Sequence, residues 1–477
     1  MTDSTDATSI DVPPPAPAAD EPHFVAGTRV RHQSRAELAA SGRAERVRVS
    51  RQVLGRYEPA ADRADPVGIL EAQAATRLAD LVPIRYGRML VSPFTFYRGA
   101  AAIMAADLGA APRTALKTQL CGDAHLANFG MFASPERNLV FDVNDFDETL
   151  PGPFEWDVKR LATSFVVAGR SSGWTPAFAQ QLVVAAVSAY HAHMTDFAAR
   201  GALETWYAHI SVADLQTLLP REKRSALDGM AKLAFRKDNL GALTKLTEEV
   251  DGTRRFRSAP PLLERPDAAA VDGVMREIFR SYRTTLSPER RGLLSRYRFV
   301  DLARKVVGVG SVGTRCWVAY LEGSGPEDPL FLQVKEAGPS VLESQLGHPP
   351  QRHHGQRVVR GQRLMQATSD VFLGWVTGPQ GAHYYWRQLW DAKFSVEVER
   401  LQKPGQLAYA RACGWTLARA HARSGSAVAI AAYMGSGARF ERAMVDFAEA
   451  YADQNERDHA DLAAAAKAGR VAVTSGV

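Results

Sequence analysis

Residues 121–130 read Cys-Gly-Asp-Ala-His-Leu-Ala-Asn-Phe-Gly, so Asn128 follows Asp123 by five positions, and the acids Asp142, Asp145 and Asp147 come soon after. A carboxylate, an amide oxygen and a second carboxylate gathered at one end of a sheet form a set of hard oxygen ligands suited to Mg²⁺. They also match what phosphoryl transfer asks of a protein. One carboxylate orients or deprotonates an acceptor hydroxyl, and oxygen ligands hold the metal against the transferring phosphates. The plain alternative is that Asp, Asn and Gly are the ordinary residues of turns. On that view Asp142, Asp147, Glu148 and Glu155 only solvate a loop.

The chemistry requires particular elements to converge. Residues 114–120 alternate Leu116, Thr118 and Leu120 on one face of a predicted strand, which delivers Asp123 into a turn that Gly122 permits. A second strand at 138–144 puts Leu139, Phe141 and Val143 on one face, and Asp145 sits just past its end. Pro151-Gly152-Pro153 breaks the chain before a helix at about 155–168, where Val158, Leu161, Ala162, Phe165 and Val166 repeat at helical spacing. Residues 36–110 read as helical with breaks near Pro83 and Pro93, and 176–290 as almost wholly helical. From about 300 to 336 the pattern is strand, glycine turn, strand, polar turn, strand. More strand is expected at 357–376 and 383–390, then helices from about 405 to 465.

The first group resembles a known motif. Asp123-Ala-His125-Leu-Ala-Asn128 is similar to the D-x-H-x-x-N catalytic loop of aminoglycoside and choline phosphotransferases, relatives of protein kinases, and Asp145 to Asp157 resembles their downstream acid, glycine and helix-capping acid. The resemblance implies that Asp123 is the catalytic base, that Asn128 and Asp145 bind Mg²⁺, and that Asp157 braces the loop from the start of the next helix. Cys121 stands where those enzymes usually have His. His125 is expected to pack the loop, and Asp147 is either a second metal ligand or a surface acid.

Residues 308–313, Gly-Val-Gly-Ser-Val-Gly, form a GxGxxG. A dinucleotide fingerprint opens a helix, whereas Thr314 to Leu321 read as strand, and a glycine turn between strands is the phosphate-covering loop of a kinase small lobe. On this reading Gly308, Gly310, Ser311 and Gly313 cover the phosphates of ATP. Lys335, from the third strand, pairs with the phosphates, oriented by Glu343 or, more weakly, Glu336. The bland alternative is a hairpin with a surface lysine. In kinases the glycine loop precedes the catalytic loop, but here Gly308 lies 185 positions after Asp123 (308 − 123). The expected fold is therefore α+β, two-lobed, kinase-like and circularly permuted, with residues 405–423 returning against 118–130. Its divisions are a disordered tail at 1–24, a helical large lobe at 25–295, a β-rich small lobe at 296–395, returning helices at 396–465 and a frayed end at 466–477. Residues 85–108, 121–130, 141–162, 307–321 and 451–462 together resemble a bacterial family catalogued as domain of unknown function 2252, which implies a kinase-like grouping with no fixed substrate.

Bulk properties narrow the function. The net charge is +6, from 58 basic and 52 acidic residues, and the basic residues are scattered, which argues against nucleic acid as partner. The densest basic stretch, 352–363, reads as a solvated loop or strand edge, or else as a polyanion site. Arg85, Arg88 and Arg98 are candidates for phosphate or acceptor contacts, or for structural pairs with the acids of 142–157. The three cysteines, Cys121, Cys316 and Cys413, are far apart and suggest neither a disulfide framework nor a zinc site. The N-terminus has no signal-peptide pattern and no apolar run reaches the ~18 residues of a membrane span, so a cytoplasmic protein is expected.

The function expected from sequence is an ATP- and Mg²⁺-dependent phosphotransferase acting on a hydroxyl acceptor, small molecule before protein. The alternatives are a non-catalytic nucleotide-binding pseudokinase, a nucleotidyltransferase, and a metal-dependent hydrolase using Asp123, His125, Asp142 and Asp145 directly on metal.

Overall fold

A computed structural model describes residues 33–476 apart from 237, 267, 390 and 391. The expected tail at 1–24 and the last residue of the expected strand at 383–390 lie outside the described residues. The chain is α+β. Strands β1 (Lys117–Leu120), β2 (Phe129–Ala133), β3 (Leu139–Val143) and β4 (Leu150–Pro153) come close together in sequence. β1 pairs antiparallel with β4, and β2 forms a hairpin with β3 in which Phe129 faces Val143. β5 (Ile210–Ser211) extends that hairpin on the β3 side. β6 (Thr247–Val250) and β7 (Thr253–Phe256) pair with each other. β8 (Leu263–Glu264), β9 (Arg298–Lys305), β10 (Cys316–Glu322), β11 (Pro329–Glu336), β12 (Gly374–Thr377) and β13 (His383–Gln388) build a six-stranded sheet in the order β12-β13-β11-β10-β9-β8. β14 (Phe394–Ser395) then returns to pair with β2.

Side-chain alternation decides what the six-stranded sheet presents. Along a strand, successive residues face opposite sides. Ala319 and Leu321 of β10, Leu330, Leu332 and Val334 of β11, and Tyr384 and Trp386 of β13 point into one core with Tyr282 and Leu286. There Tyr282 stacks on Trp386 at 4.6 Å between ring centroids. Val318, Tyr320 and Phe331 point the other way, onto Ala242, Leu243 and Leu246. Lys335 and Gln333 share the Phe331 side of β11, and the register sets them opposite Tyr385 and Arg387 of β13. One end of that face is therefore polar, and it turns toward residues 121–147.

A larger core holds the other strands. Leu120, Phe129, Phe141 and Val143 pack with Leu161 and Phe165 of the helix Glu155–Ser171, Tyr190 of Pro176–Ala199, Leu417 of Lys403–Ser424 and Phe447 of Ala438–Lys467. The expected return of 405–423 to 118–130 is present: Tyr409 donates its hydroxyl to Leu126 O at 2.6 Å and to Phe129 O at 3.1 Å.

Four expectations are corrected. Residues 354–365 form a helix, His354–Met365, where strand was expected; Val358, Val359, Gln362 and Met365 are buried at helical spacing, and the His353 side chain caps Gln356 N. Region 176–290 is helical but interrupted by β5 to β8. A division at 295 falls too late, because the helices Asn239–Leu246 and Ala268–Thr284 cover the two faces of the six-stranded sheet. The end at 466–477 is not frayed as far as it is described. Val471 is buried with Val67, Leu70, Tyr86 and Leu462, and Thr474 N donates to Pro83 O at 2.9 Å.

Candidate active site

β1 runs directly into the loop 121–128, and a buried carboxylate shapes that loop. Cys121 N and Gly122 N donate to Asp157 Oδ2 and Oδ1 at 2.8 and 3.0 Å. His421 Nε2 lies 3.3 Å from the same carboxylate, and Tyr190 Oη is 2.9 Å from His421 Nδ1. Gly122 has φ of 85°, and a Cβ there would lie 2.3 Å from Glu148 O, so only glycine fits. Asn128 closes the turn, its Nδ2 donating to Asp123 O at 2.8 Å, while Asn144 N donates to Asn128 O at 2.8 Å. The Asn128 amide is thus oriented with its oxygen as the free polar atom.

Asp123 is gripped on one side only. Arg160 places Nε and Nη2 each 2.8 Å from Oδ1, and Arg160 is itself fixed by Tyr97 O at 2.6 Å and by the Tyr97 ring at 3.8 Å. Oδ2 is left with His125 Nε2 at 3.6 Å. Burial pushes the His125 imidazole down to about 4 against the opposing pull of Asp123, so the ring is neutral near pH 7. His125 is 4% exposed, and its Nδ1 is buried without a hydrogen-bond partner.

Across the cavity stands Lys335, 2% exposed. Its Nζ is 2.5 Å from Asp147 Oδ2 and 3.9 Å from Asp145 Oδ2. Tyr385 donates its hydroxyl to Asp147 Oδ1 at 2.6 Å, completing the cage. Burial alone would lower the Lys335 pKa, but the two aspartates outweigh it and hold the amine charged. Burial likewise pushes Asp145 up, and Lys335, Arg387 and Lys393 more than reverse that. Lys393 is brought down to about 7, by burial first and Arg387 second, with Asp145 opposing. Lys335, Asp123, His125, Asn128, Asp145, Arg387 and Lys393 all line one cavity of about 1710 Å³.

The glycine segment roofs this cavity between β9 and β10. Gly308 and Gly313 take positive φ, 63° and 89°, which an L side chain adopts only with strain. The segment is tied down by arginines from the N-terminal helices: Arg77 Nη1 donates to Gly310 O at 2.8 Å and also to Val312 O, and Arg88 donates to Gly308 O. Ser311 Oγ comes to 3.5 Å from Asp147 Oδ2.

The structure brings Asp123, His125, Asn128, Asp145, Gly308, Gly310, Ser311, Lys335 and Glu343 to one cavity and sets Asp157 behind the loop. Glu343 departs from expectation. Its carboxylate accepts from Ser340 N at 2.8 Å and sits 3.0 Å from His348 Nδ1, with no ion pair to Lys335 among the described residues. Glu336, the weaker candidate, pairs with Arg315 at 3.0 Å. Asp147 takes the place expected of Glu343 because the loop after β3 turns it straight onto Lys335.

Sequence reasoning missed several partners. Arg160 was open to discovery, since it lies three residues after Asp157 and so on the same helical face. Arg387 follows Tyr385 by two in a strand, which puts both on the Lys335 side. Arg357, within the stretch expected to be solvated, is 2% exposed; it donates to Thr149 O at 2.7 Å and to Asp147 O at 2.8 Å, clamping the loop that carries Asp147. Asp142 is not available to a metal: Arg419 meets its two oxygens at 2.5 and 2.6 Å in a pair whose side chains are both 1% exposed. Among the described residues no three His, Cys, Asp or Glu side chains cluster as metal ligands, and no helix is long and apolar enough to cross a membrane.

Residues 77–465 match the model of a family described as "Uncharacterized protein conserved in bacteria (DUF2252)", and the chain belongs to that family. No curated protein and no solved structure matches it.

Proposed function

We propose that this member of the bacterial family is an ATP- and Mg²⁺-dependent phosphotransferase of kinase-like, two-lobed and circularly permuted fold, acting on a small-molecule hydroxyl acceptor. The observation that carries the reading is the buried ammonium of Lys335. It faces Asp145 and Asp147 across the same cavity that holds Asp123 and Asn128, beneath a glycine turn between two strands. Asp145 and Asp147 keep this buried lysine charged, and a charged amine beneath a glycine turn is placed to meet nucleotide phosphates.

The residues fit Mg²⁺, which needs only one or two protein carboxylates beside phosphate and water oxygens. Asp145 and the oriented amide oxygen of Asn128 would hold it, and the ion supplies charge neutralisation between the phosphates. Asp123 presents Oδ2 to the acceptor while Arg160 fixes Oδ1. It takes the hydroxyl proton as the acceptor oxygen bonds to the γ-phosphorus and the bond to the β,γ-bridging oxygen breaks, its electrons leaving with ADP. Residues 145–155 pass straight through β4 into the helix Glu155–Ser171, leaving no long segment to present a peptide, which favours a small acceptor.

The test is MgATP affinity by calorimetry and phosphate release for the parent, Lys335→Met and Asp123→Asn. Lys335→Met is expected to weaken MgATP by about tenfold or more, the worth of one charge-assisted contact. Asp123→Asn is expected to keep nucleotide affinity and lose turnover by about 10²–10⁴-fold, the range of a general base. An unchanged Lys335→Met protein removes the small-lobe assignment. Binding without turnover in the parent turns the reading to a non-catalytic nucleotide-binding protein.

A further inference from the structure

Several buried or half-buried arginines of this protein are answered by carboxylates: Arg160 by Asp123, Arg419 by Asp142, and Arg63 by Asp107 and Asp458. Two arginines on the helices Val82–Met89 and Pro93–Gly99 are not. Arg85 is 1% exposed; its Nη2 donates to Gln73 Oε1 at 3.0 Å and Gly99 O at 3.1 Å, while Nε and Nη1 have no partner. Burial pushes its guanidinium down to about 9, with no acid beside it to resist. Arg98 is half-buried, its Nε is buried without a partner, and it makes no hydrogen bond or ion pair among the described residues. Neither arginine pairs with the acids of 142–157, as the structural alternative required. Both line the cavity that holds Asp123; the Asp123 charge is felt at Arg98, and that of Arg98 at His125.

A desolvated guanidinium with idle N–H groups is expensive to keep, and arginine is the side chain best shaped for oxyanions. We propose that Arg85 and Arg98 form a binding subsite for a tetrahedral oxyanion, a phosphate monoester group, carried by the acceptor. Three unpartnered N–H-bearing nitrogens on two non-adjacent side chains suit a tetrahedral anion better than a flat carboxylate. The acceptor is then an already phosphorylated hydroxyl compound, anchored here while its hydroxyl reaches Asp123. The identity of the anchored molecule as an acceptor rests on the phosphotransferase reading; the anion subsite does not.

The test is calorimetric titration of the full chain with inorganic phosphate, without nucleotide, for the parent, Arg98→Gln and Lys335→Met. Phosphate is expected to bind the parent and Lys335→Met alike and to weaken about tenfold or more in Arg98→Gln, the effect of losing one charge-assisted contact. MgATP affinity of Arg98→Gln is expected to stay within about twofold of the parent, since that contact is not made to the nucleotide. Its unfolding midpoint is expected to be unchanged or higher, because no partner is lost. Phosphate affinity unaffected by Arg98→Gln, or abolished by Lys335→Met, overturns the subsite. Phosphate binding that depends on Arg98 in a protein that does not bind MgATP keeps the subsite and removes the phosphotransferase reading. MgATP binding without Arg98-dependent phosphate binding does the reverse.

Discussion

The two sides of the cavity are built in different ways. The acidic side is over-determined. Asp157 fixes two backbone N–H groups of the loop 121–128, Asn128 ties that loop to the end of β3, and the neighbouring Asp142–Arg419 pair is sealed from water. The glycine side is held by packing and carbonyl contacts, without buried ion pairs of its own. Gly308 has nothing within 4 Å of a Cβ position, Val309 and Val312 are buried against the N-terminal helices, Leu78 N donates to Gly313 O at 2.8 Å, and the carbonyls of 308, 310 and 312 accept from Arg77 and Arg88, with Lys335 joining the sides through Asp147. Buried carboxylates bonded by several donors cannot shift without leaving charge unpaired, whereas carbonyl contacts to long side chains re-form easily. The acidic side is therefore the fixed template and the glycine side the part that adjusts to a ligand.

The strongest way to break this contrast is Arg419→Met, which leaves Asp142 buried without its counter-ion, held only by the backbone N–H groups of Val143 and Ala367. It is expected to cost about 3–5 kcal/mol in urea unfolding, and adding Asp142→Asn should restore much of that. A loss below about 1 kcal/mol would mean the acidic side is not the rigid one. A pH experiment sharpens the contrast next. Burial raises Glu148 to about 7, so the native state holds a proton there that the unfolded state releases near the ordinary 4.5. This group's stabilisation is present at low pH and lost as pH rises through about 7. His125, lowered to about 4 from 6.5, works oppositely: its contribution is present above 6.5 and lost as pH falls toward 4. The two slopes oppose each other between about 4.5 and 6.5, each up to roughly 1.4 kcal/mol per pH unit. Glu148→Gln should make stability rise with pH in that window and His125→Gln should make it fall; parallel slopes in the two variants would contradict the assignment. The smallest effect is expected on the glycine side. Gly308→Ala should cost about 1 kcal/mol, the strain of a side chain at positive φ in open space. Arg77→Met should leave global stability nearly unchanged while amide hydrogen exchange speeds up at 308–314 and not at 121–128. Equal acceleration in both stretches would show that they move together.

What the sequence discloses follows the range of the forces involved. The Asp123–Asn128 spacing and the strand ends that carry Asp123 and Asp145 are local facts, and the side of β11 on which Lys335 lies follows from strict alternation past Phe331 and Gln333. Two errors share another origin. Residues 354–365 include a Val-Val pair that favours strand by propensity, yet burial at 358, 359, 362 and 365 wins, because packing outweighs a weak preference. Glu343 was matched to Lys335 by its place on a following helix, whereas the choice fell to Asp147, delivered by a loop that Arg357 clamps from afar. The unpaired state of Arg85 and Arg98 is visible only once every acid has found its own partner.

The Asp142–Arg419 pair also fixes an order of events while the chain is being made. Its members are 277 residues apart, so at synthesis rates of about 5–20 residues per second the ribosome needs roughly 14–55 s to go from one to the other. Through that interval the hairpin of β2 and β3 has emerged without the helix that will cover it, and its acid has no counter-ion. The first strands to be translated are thus among the last to be finished. A nascent chain stalled anywhere before residue 419 is a client for chaperones rather than a smaller stable protein.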